Sequence, residues 1–149
     1  MLDREQFRQL IINPVLLNLN LYSEAAAQLL IRTAVQESRL TYIRQLGGGP
    51  ALGVYQMEPA THDDIWENYL EYRTELADLV EKWARVATPH EMIGNLYYAT
   101  AMCRVHYLRA PQALPDAEDL HGQARYWKTW YNTPLGAGTV EEFVKNNGG

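Results

Sequence analysis

One glycine-rich interruption in an otherwise helical pattern most strongly limits how this chain can fold. Gly47, Gly48 and Gly49 are followed directly by Pro50, and Gly53 comes three residues later. Glycine and proline at this density favour turns, and residues 41–55 could also form a short β-hairpin. Because helical patterns occupy both flanks, we predict a mainly α fold with a glycine-rich loop or small β-hairpin after its second helix.

Helical periodicity and capping signals divide the remainder of the chain into five segments. A polar side chain before the first turn can accept a hydrogen bond from a free backbone N–H, and a proline beyond the last turn stops a helix. The predicted helices begin at Asp3, Ser23, Thr88, Ala117 and Thr139, and the first four end near Ile12, Ser38, Arg109 and Tyr131.

Length and composition place these helices in one domain. The chain has 149 residues, of which 47% are hydrophobic, and this is enough for a single buried core. We therefore predict one α-rich domain over residues 1–149. Cys103 is the only cysteine, so no disulfide can form within the chain.

Charge and hydropathy argue against two classes of partner. The net charge of −5 disfavours nonspecific binding to nucleic acid, which requires a basic surface. No apolar stretch approaches the roughly 20 residues of a membrane span. Charged residues stand near the N-terminus where a signal peptide has its apolar run. We expect synthesis in a cytoplasm without a signal peptide, and delivery by other means if the protein acts outside it.

The acidic excess is concentrated in one segment. Between Glu58 and Glu91 there are nine acidic and three basic residues, interleaved with apolar residues at helical spacing. This pattern favours the solvated faces of folded helices over a binding tail.

Glu37 is the first candidate for chemistry. On the second predicted helix Ala26, Leu30 and Thr33 form a stripe at steps of three and four, and Glu37 continues that stripe in the last turn. Partial burial and the helix dipole would both raise the pKa of this carboxyl, as a general acid near neutral pH requires. The alternative is a glutamate at a frayed helix end that reaches water or pairs with Arg39 or Arg44.

Metal and cofactor signatures are not found in the sequence. The histidines lack the spacing of a metal site, and the glycine run lacks the Gly-Lys-Ser/Thr of a phosphate loop. We therefore predict that the protein needs no metal and no cofactor. The histidines concerned are His62, His90, His106 and His121.

Four short motifs follow one another between about residues 30 and 140. The first is Glu-Ser at the end of the second predicted helix, and the second is Gly-x-x-Gln followed by Pro-x-Thr. The third is a helix that starts near an asparagine and ends in Tyr-Leu, and the fourth is an aromatic Tyr-Asn segment followed by glycine. They lie at residues 37–38, 53–61, 95–108 and 130–138. In this order they resemble the lytic transglycosylases and goose-type lysozymes of the lysozyme superfamily, which implies a lysozyme-like α-rich fold.

The resemblance implies cleavage of peptidoglycan glycan strands at the β-1,4 bond between N-acetylmuramic acid and N-acetylglucosamine. Glu37 would protonate the glycosidic oxygen. In the transglycosylases the same carboxyl then takes the proton of the muramoyl C6 hydroxyl, so that a 1,6-anhydro end forms. One carboxyl that acts first as acid and then as base suffices for this reaction.

The resemblance also implies a set of substrate-binding residues. Gln56 would hydrogen-bond the sugar or its acetamido group, Tyr131 would orient the Glu37 carboxyl, and Ser38 would brace its helix end. Tyr55 stands where the family often has methionine. Its ring could narrow a sugar-binding subsite or stack on the sugar bound there. Together with Asn132 these are the predicted substrate contacts, as Ser38, Tyr55, Gln56, Tyr131 and Asn132.

Two departures from the family pattern bear on the mechanism. The transglycosylases usually have a serine in the loop where this chain has Gly47 to Gly49, so that contact is missing or comes from Thr41 or backbone amides. Glu58, two residues after Gln56, stands where goose-type lysozymes carry an aspartate that holds water. A hydrolytic lysozyme with Glu58 as second catalytic carboxylate is therefore the alternative reaction. The other reading of Glu58 is a surface carboxylate in the first turn of the next helix.

Two readings without catalysis stay open at this point. One is a phage virion protein that retains a lysozyme-like domain as a structural part, and the other is a helical interaction module in which Glu37 only forms a salt bridge. The absence of a wall-anchoring repeat suits a phage endolysin or a virion-associated muramidase. A virion-borne protein would contact other virion proteins as well as peptidoglycan.

Overall fold

Helices dominate the structure, a computed structural model that describes residues 1–133 and 136–149. Within these residues the backbone forms isolated β-bridges but no β-strand. This confirms the mainly α prediction. The α-helices are α1 (Arg4–Phe7), α2 (Asn13–Asn18), α3 (Glu24–Ser38), α4 (Pro59–Asn68), α5 (Thr74–Glu81), α6 (Glu91–Gly94), α7 (Leu96–Leu108), α8 (Leu120–Trp127) and α9 (Val140–Asn146), with π-helical turns at Arg8–Ile12 and Lys128–Asn132 and a 3-10 turn at Leu70–Tyr72.

The first predicted helix does not stop before Pro14. Asp3 caps α1 as predicted, accepting a hydrogen bond from the Gln6 N–H at 2.9 Å. The helical backbone then continues through the π turn into α2. Pro14 is the second residue of α2 and comes directly after the wider π turn, so the backbone passes the proline without ending there. The predicted end at Ile12 is therefore wrong.

Helix α3 forms where the sequence predicts it. The Ser23 hydroxyl accepts a hydrogen bond from the Ala26 N–H at 3.0 Å and caps the first turn. Arg39 and Leu40 have left-handed backbone angles, with φ of 55° and 54°, and they end the helix after Ser38.

The helix predicted from Thr88 to about Arg109 is divided in two. Asn95 adopts an extended conformation between α6 and α7, and its side chain caps α7 by accepting from the Tyr98 N–H at 2.9 Å. The Asn95 amide also donates to the Trp83 carbonyl, so the interruption is held by its own hydrogen bonds. The predicted end near Arg109 is confirmed.

The two C-terminal helices match the prediction in part. Helix α8 begins after Asp119, which accepts from the Gly122 N–H, and so it starts later than the predicted Ala117. The π turn carries the helical backbone on to Asn132. Helix α9 begins after Thr139, whose hydroxyl accepts from the Glu142 N–H, as predicted.

Helix α7 passes through the main core and contacts α2, α3, α4, α5 and α6. A smaller core cluster joins α8 to α9 through Ala124, Trp127 and Phe143. The acidic segment is folded and solvated as predicted, since all its acidic side chains except Glu91 are exposed. In the described part of the chain, no helix has the length and apolar character needed to cross a membrane.

The glycine-rich segment is a folded loop rather than a hairpin of regular strands. Leu52 forms antiparallel bridges with both Arg44 and Met57. The Gly53 N–H donates to the Ile43 carbonyl at 2.8 Å, which joins the two sides of the loop shortly after α3 ends at Ser38. The loop therefore stands beside the C-terminus of the helix that carries Glu37.

Candidate active site

A groove of about 380 Å³ lies where the C-terminus of α3, the glycine-rich loop and the π turn after α8 meet. We call it the Glu37 groove. Five of the residues predicted for the site line it, namely Glu37, Gln56, Glu58, Tyr131 and Asn132. Sequence analysis did not assign its other lining residues to the site, and these are Gln36, Gln45, Ala51, Trp127, Gly136, Ala137 and Gly138.

Glu37 is half-buried in the last turn of α3. It continues the stripe formed by Ala26, Leu30 and Thr33, all of which are fully buried, as the spacing predicts. Its Oε2 accepts a hydrogen bond from the Trp127 indole Nε1 at 2.9 Å. A carboxylate therefore lies at the edge of the core and borders the groove.

Burial of the Glu37 carboxyl raises its pKa to about 7, and the hydrogen bond from Trp127 opposes this shift by stabilising the charged form. Among the described residues no lysine, arginine or histidine forms an ion pair with Glu37, and Arg39 is exposed. The interaction module in which Glu37 is a salt-bridge partner therefore has no support here. Near neutral pH the carboxyl can both donate and accept a proton.

Trp127 is the donor that sequence analysis did not assign to Glu37. Its side chain is fully buried at the end of α8 and packs on Phe143, with ring centroids 5.2 Å apart. The only signal in the sequence is its place one helical turn before Tyr131. At that spacing an aromatic residue is as compatible with packing in the core as with lining a ligand site.

Tyr131 lines the groove but does not reach Glu37. Its hydroxyl donates to the Tyr55 backbone carbonyl at 2.6 Å, and its ring meets His106 edge-on at 5.0 Å. The prediction that Tyr131 orients the catalytic carboxyl is therefore wrong. Tyr131 instead ties the π turn to the glycine-rich loop.

Gln56 is held in a strained turn at the edge of the groove. Its backbone has a φ of 52°, and its side-chain amide donates to the Gly53 carbonyl at 2.9 Å. Gly53 itself has a φ of 77°, and a Cβ there would overlap the Met92 carbonyl oxygen. One N–H of the amide is used within the turn, so its second N–H can donate to a ligand and its oxygen can accept from one.

Two predicted substrate contacts lie in the core instead. The Ser38 hydroxyl donates to the Ala34 carbonyl at 3.1 Å and accepts from the Leu40 N–H at 3.2 Å. Its role in bracing the helix end is confirmed, but a side chain that is 1% exposed cannot contact substrate. Tyr55 is equally buried and its hydroxyl pairs with Thr100 at 2.8 Å, so the prediction that it stacks in a subsite is wrong.

Glu58 is exposed and borders the groove at the N-cap position of α4. Its side chain makes no capping hydrogen bond with the helix. A second carboxylate is therefore available on the groove, as the hydrolytic alternative requires.

The glycine-rich loop supplies a polar side chain that the sequence did not indicate. Gln45 lines the groove, and its Oε1 accepts from the Ala51 N–H at 3.0 Å. Thr41, the predicted substitute for the missing serine, donates to the Arg39 carbonyl and is not among the groove residues. Thr41 is therefore not placed to make the contact of the missing serine, whereas Gln45 lies on this wall of the groove.

Neither the family models, nor the curated proteins, nor the solved structures contain a match to this chain. The chemistry that the groove can perform depends on its own lining residues. These combine a half-buried acid, an exposed carboxylate, carboxamides at Gln45, Gln56 and Asn132, and the glycine segment 136–138.

Proposed function

We propose that this protein is a muramidase that cleaves peptidoglycan glycan strands in the Glu37 groove, as a lytic transglycosylase. The observation that carries the proposal is the state of Glu37: half-buried, bordering a groove, and bound by an indole N–H rather than by a cation. Carboxyls with a raised pKa in a cleft are typical of catalytic acids.

The groove residues support a reaction with one acid/base group. Protonated Glu37 would donate its proton to the glycosidic oxygen as the bond to the muramoyl C1 breaks, so that the leaving sugar departs as an alcohol. The resulting carboxylate would then take the proton of the C6 hydroxyl while that oxygen bonds to C1. The ring closes without water, and Glu37 returns to its protonated form.

The carboxamide groups of the groove fit a glycan ligand. Gln45, Gln56 and Asn132 can exchange hydrogen bonds with hydroxyl and acetamido groups, which are neutral. The Asn132 Oδ1 accepts from Lys128 at 2.8 Å, so its amide nitrogen is oriented away from that contact and can donate. Sugar-binding sites commonly combine such groups with an apolar wall, here supplied in part by the half-buried Tyr131.

Hydrolysis is the second candidate, and the position of Glu58 favours it. An inverting glycosidase needs a base that activates water on the side of the sugar opposite the acid. Glu58 borders the same groove as Glu37, is exposed, and is not used in capping α4. In this reaction Glu37 would remain the acid and Glu58 would take the proton of the attacking water.

Mass spectrometry of digested peptidoglycan tests both the activity and the choice of reaction. We expect muropeptides with 1,6-anhydro ends, which are lighter than hydrolysed products by one water molecule and resist reduction by borohydride. Glu37→Gln should abolish the digestion, whereas Glu67→Gln, at an exposed site on α4 outside the groove, should leave it unchanged. Digestion by folded Glu37→Gln at the wild-type rate would overturn the catalytic proposal.

Reducible ends would instead identify hydrolysis. In that case Glu58→Gln should lower the rate about 10²–10⁴-fold, as expected for loss of a general base. If anhydro ends are found, the same variant should lose little activity, because no attacking water has to be activated.

A further inference from the structure

The segment Gly136–Gly138 forms one wall of the Glu37 groove, and the side chain of Lys128 hydrogen-bonds it to the π turn after α8. Lys128 Nζ donates to the Asn132 Oδ1 at 2.8 Å, to the Gly136 carbonyl at 2.9 Å and to the Gly138 carbonyl at 2.6 Å. An ammonium group has three donors, and these three acceptors use all of them. Lys128 is half-buried and does not itself line the groove.

The Gly136–Gly138 segment also lies close to the indole of Trp127, which donates a hydrogen bond to Glu37. A Cβ built on Gly138 would lie 2.5 Å from Cη2 of Trp127 and 3.1 Å from its Cζ2. The backbone of residue 138 is therefore in close contact with the six-membered ring of Trp127. The Nε1–H that donates to Glu37 lies on the same side of that indole, next to Cζ2.

From these contacts we propose that Lys128 is a positioning residue, which holds Gly136–Gly138 against Trp127 and thereby fixes the hydrogen bond between Trp127 and Glu37. The Lys128 ammonium donates to the Gly138 carbonyl, and the Gly138 backbone lies against the Trp127 ring. The Trp127 indole in turn donates to the Glu37 carboxyl. The functional part of this inference rests on the proposed role of Glu37, but the contacts themselves can be tested without any activity.

A charged donor suits this position for a physical reason. Hydrogen bonds from an ionised donor to carbonyls are stronger than neutral ones, and one ammonium can bind three acceptors that lie in different directions. Without it the carbonyls of Gly136 and Gly138 would turn to water, and the Trp127 ring would lose its neighbour on that side.

Nuclear magnetic resonance of Lys128→Met tests the inference directly. Methionine keeps the apolar stem but removes the donors. We expect the indole Nε1–H signal of Trp127, assigned by its loss in Trp127→Phe, to shift and to exchange with solvent about tenfold faster. The carboxyl carbon of Glu37 should titrate at a higher pH, because a donor to its charged form is weakened.

Three further variants separate this role from others. Lys128→Arg keeps the charge and several donors. Its Trp127 Nε1–H signal and its Glu37 titration should therefore lie closer to those of the wild type than in Lys128→Met. Asn132→Ala removes one acceptor of Lys128 but leaves the carbonyls of Gly136 and Gly138, and the Trp127 signal should stay in place. Lys82→Met, at an exposed lysine that follows α5 and does not line the Glu37 groove, is the matched control.

The outcomes are distinguishable from failure of the proposed function. An unchanged Trp127 signal and an unchanged Glu37 titration in folded Lys128→Met would overturn the inference, whether or not the protein cleaves peptidoglycan. If Lys128→Met does not fold, Lys128→Gln, which keeps a polar but uncharged donor, is measured in the same way and judged by the same two signals. In an active enzyme, the pH profile of Lys128→Met should shift in the same direction as its Glu37 titration.

Discussion

The indole nitrogen of Trp127 lies 2.9 Å from Oε2 of Glu37, across 90 positions of sequence. This hydrogen bond joins the end of α3 to the end of α8 at the edge of the groove. Indole brings a donor to this half-buried carboxyl without bringing a positive charge. The pKa of Glu37 therefore stays high, at about 7, while the orientation of the carboxyl is fixed.

Trp127→Phe should raise the pKa of Glu37 further. The indole hydrogen bond favours the charged form, so its loss leaves desolvation unopposed. One neutral donor to a carboxylate corresponds to a shift of roughly one pH unit. We expect the falling limb of the pH–activity profile to move to higher pH, with a lower maximal rate because the carboxyl is less well oriented. A profile that keeps its position would contradict the assigned role of Trp127.

Tyr131→Phe should behave differently, although Tyr131 lines the same groove. The lost hydroxyl donates to the Tyr55 carbonyl and not to Glu37. We expect a loss of about 1–2 kcal/mol in the free energy of unfolding, since the carbonyl loses its partner. The pH at which Glu37 titrates should stay the same. Denaturant unfolding and carboxyl titration measure the two effects separately, and a shifted titration with unchanged stability would refute this assignment.

Glu37→Gln should stabilise the protein at alkaline pH. The folded-state pKa of Glu37 is about 7 and its ordinary value is 4.5, so the folded state binds this proton more tightly than the unfolded state does. The wild-type protein should therefore lose stability as the pH rises from about 4.5 to 7, by up to about 3 kcal/mol. Glutamine has no proton to lose and escapes this penalty.

Urea unfolding at pH 4 and pH 8 measures that difference. At pH 4 the free energies of unfolding of Glu37→Gln and the wild type should be similar. At pH 8 that of Glu37→Gln should be higher. Glu67→Gln is the control, because its side chain is exposed on α4. Equal stability of Glu37→Gln and wild type at both pH values would show that Glu37 is not desolvated.

Gly53→Ala should destabilise the fold and displace Gln56. Residue 53 has a φ of 77°, and a methyl group there would overlap the Met92 carbonyl, which belongs to backbone that cannot move aside. Backbone strain at this φ and overlap of the methyl group with the carbonyl both destabilise the variant. We therefore expect a loss of about 2–4 kcal/mol in the free energy of unfolding. Gly94→Ala is the matched control, since its Cβ position lies more than 4 Å from every described atom outside its own helix turn. Comparable stability of the two variants would contradict this account of the turn.

Local sequence signals determined most of the helices and the position of Glu37. Ser23 and Thr139 cap their helices because a side-chain oxygen and an N–H three residues later meet within one turn of chain. The stripe from Ala26 to Glu37 depends only on helical periodicity, so it places the carboxyl at the edge of the core correctly. Asn95 shows the limit of this reasoning, because its own side chain begins a new helix inside a continuous helical pattern.

The partner of Glu37 was decided by tertiary structure alone. Tyr131 and Trp127 lie one turn apart near the end of α8, and both are aromatic with a single polar hydrogen, so spacing could not tell which one reaches the carboxyl. The π turn at Lys128–Asn132 and the packing of Trp127 on Phe143 turn the indole toward Glu37 and the phenol toward the Tyr55 carbonyl. Burial of Tyr55 and Ser38 likewise depends on what packs over them. Contacts between residues far apart in sequence leave no periodic trace in the chain, and so these side chains could be assigned only from the folded structure.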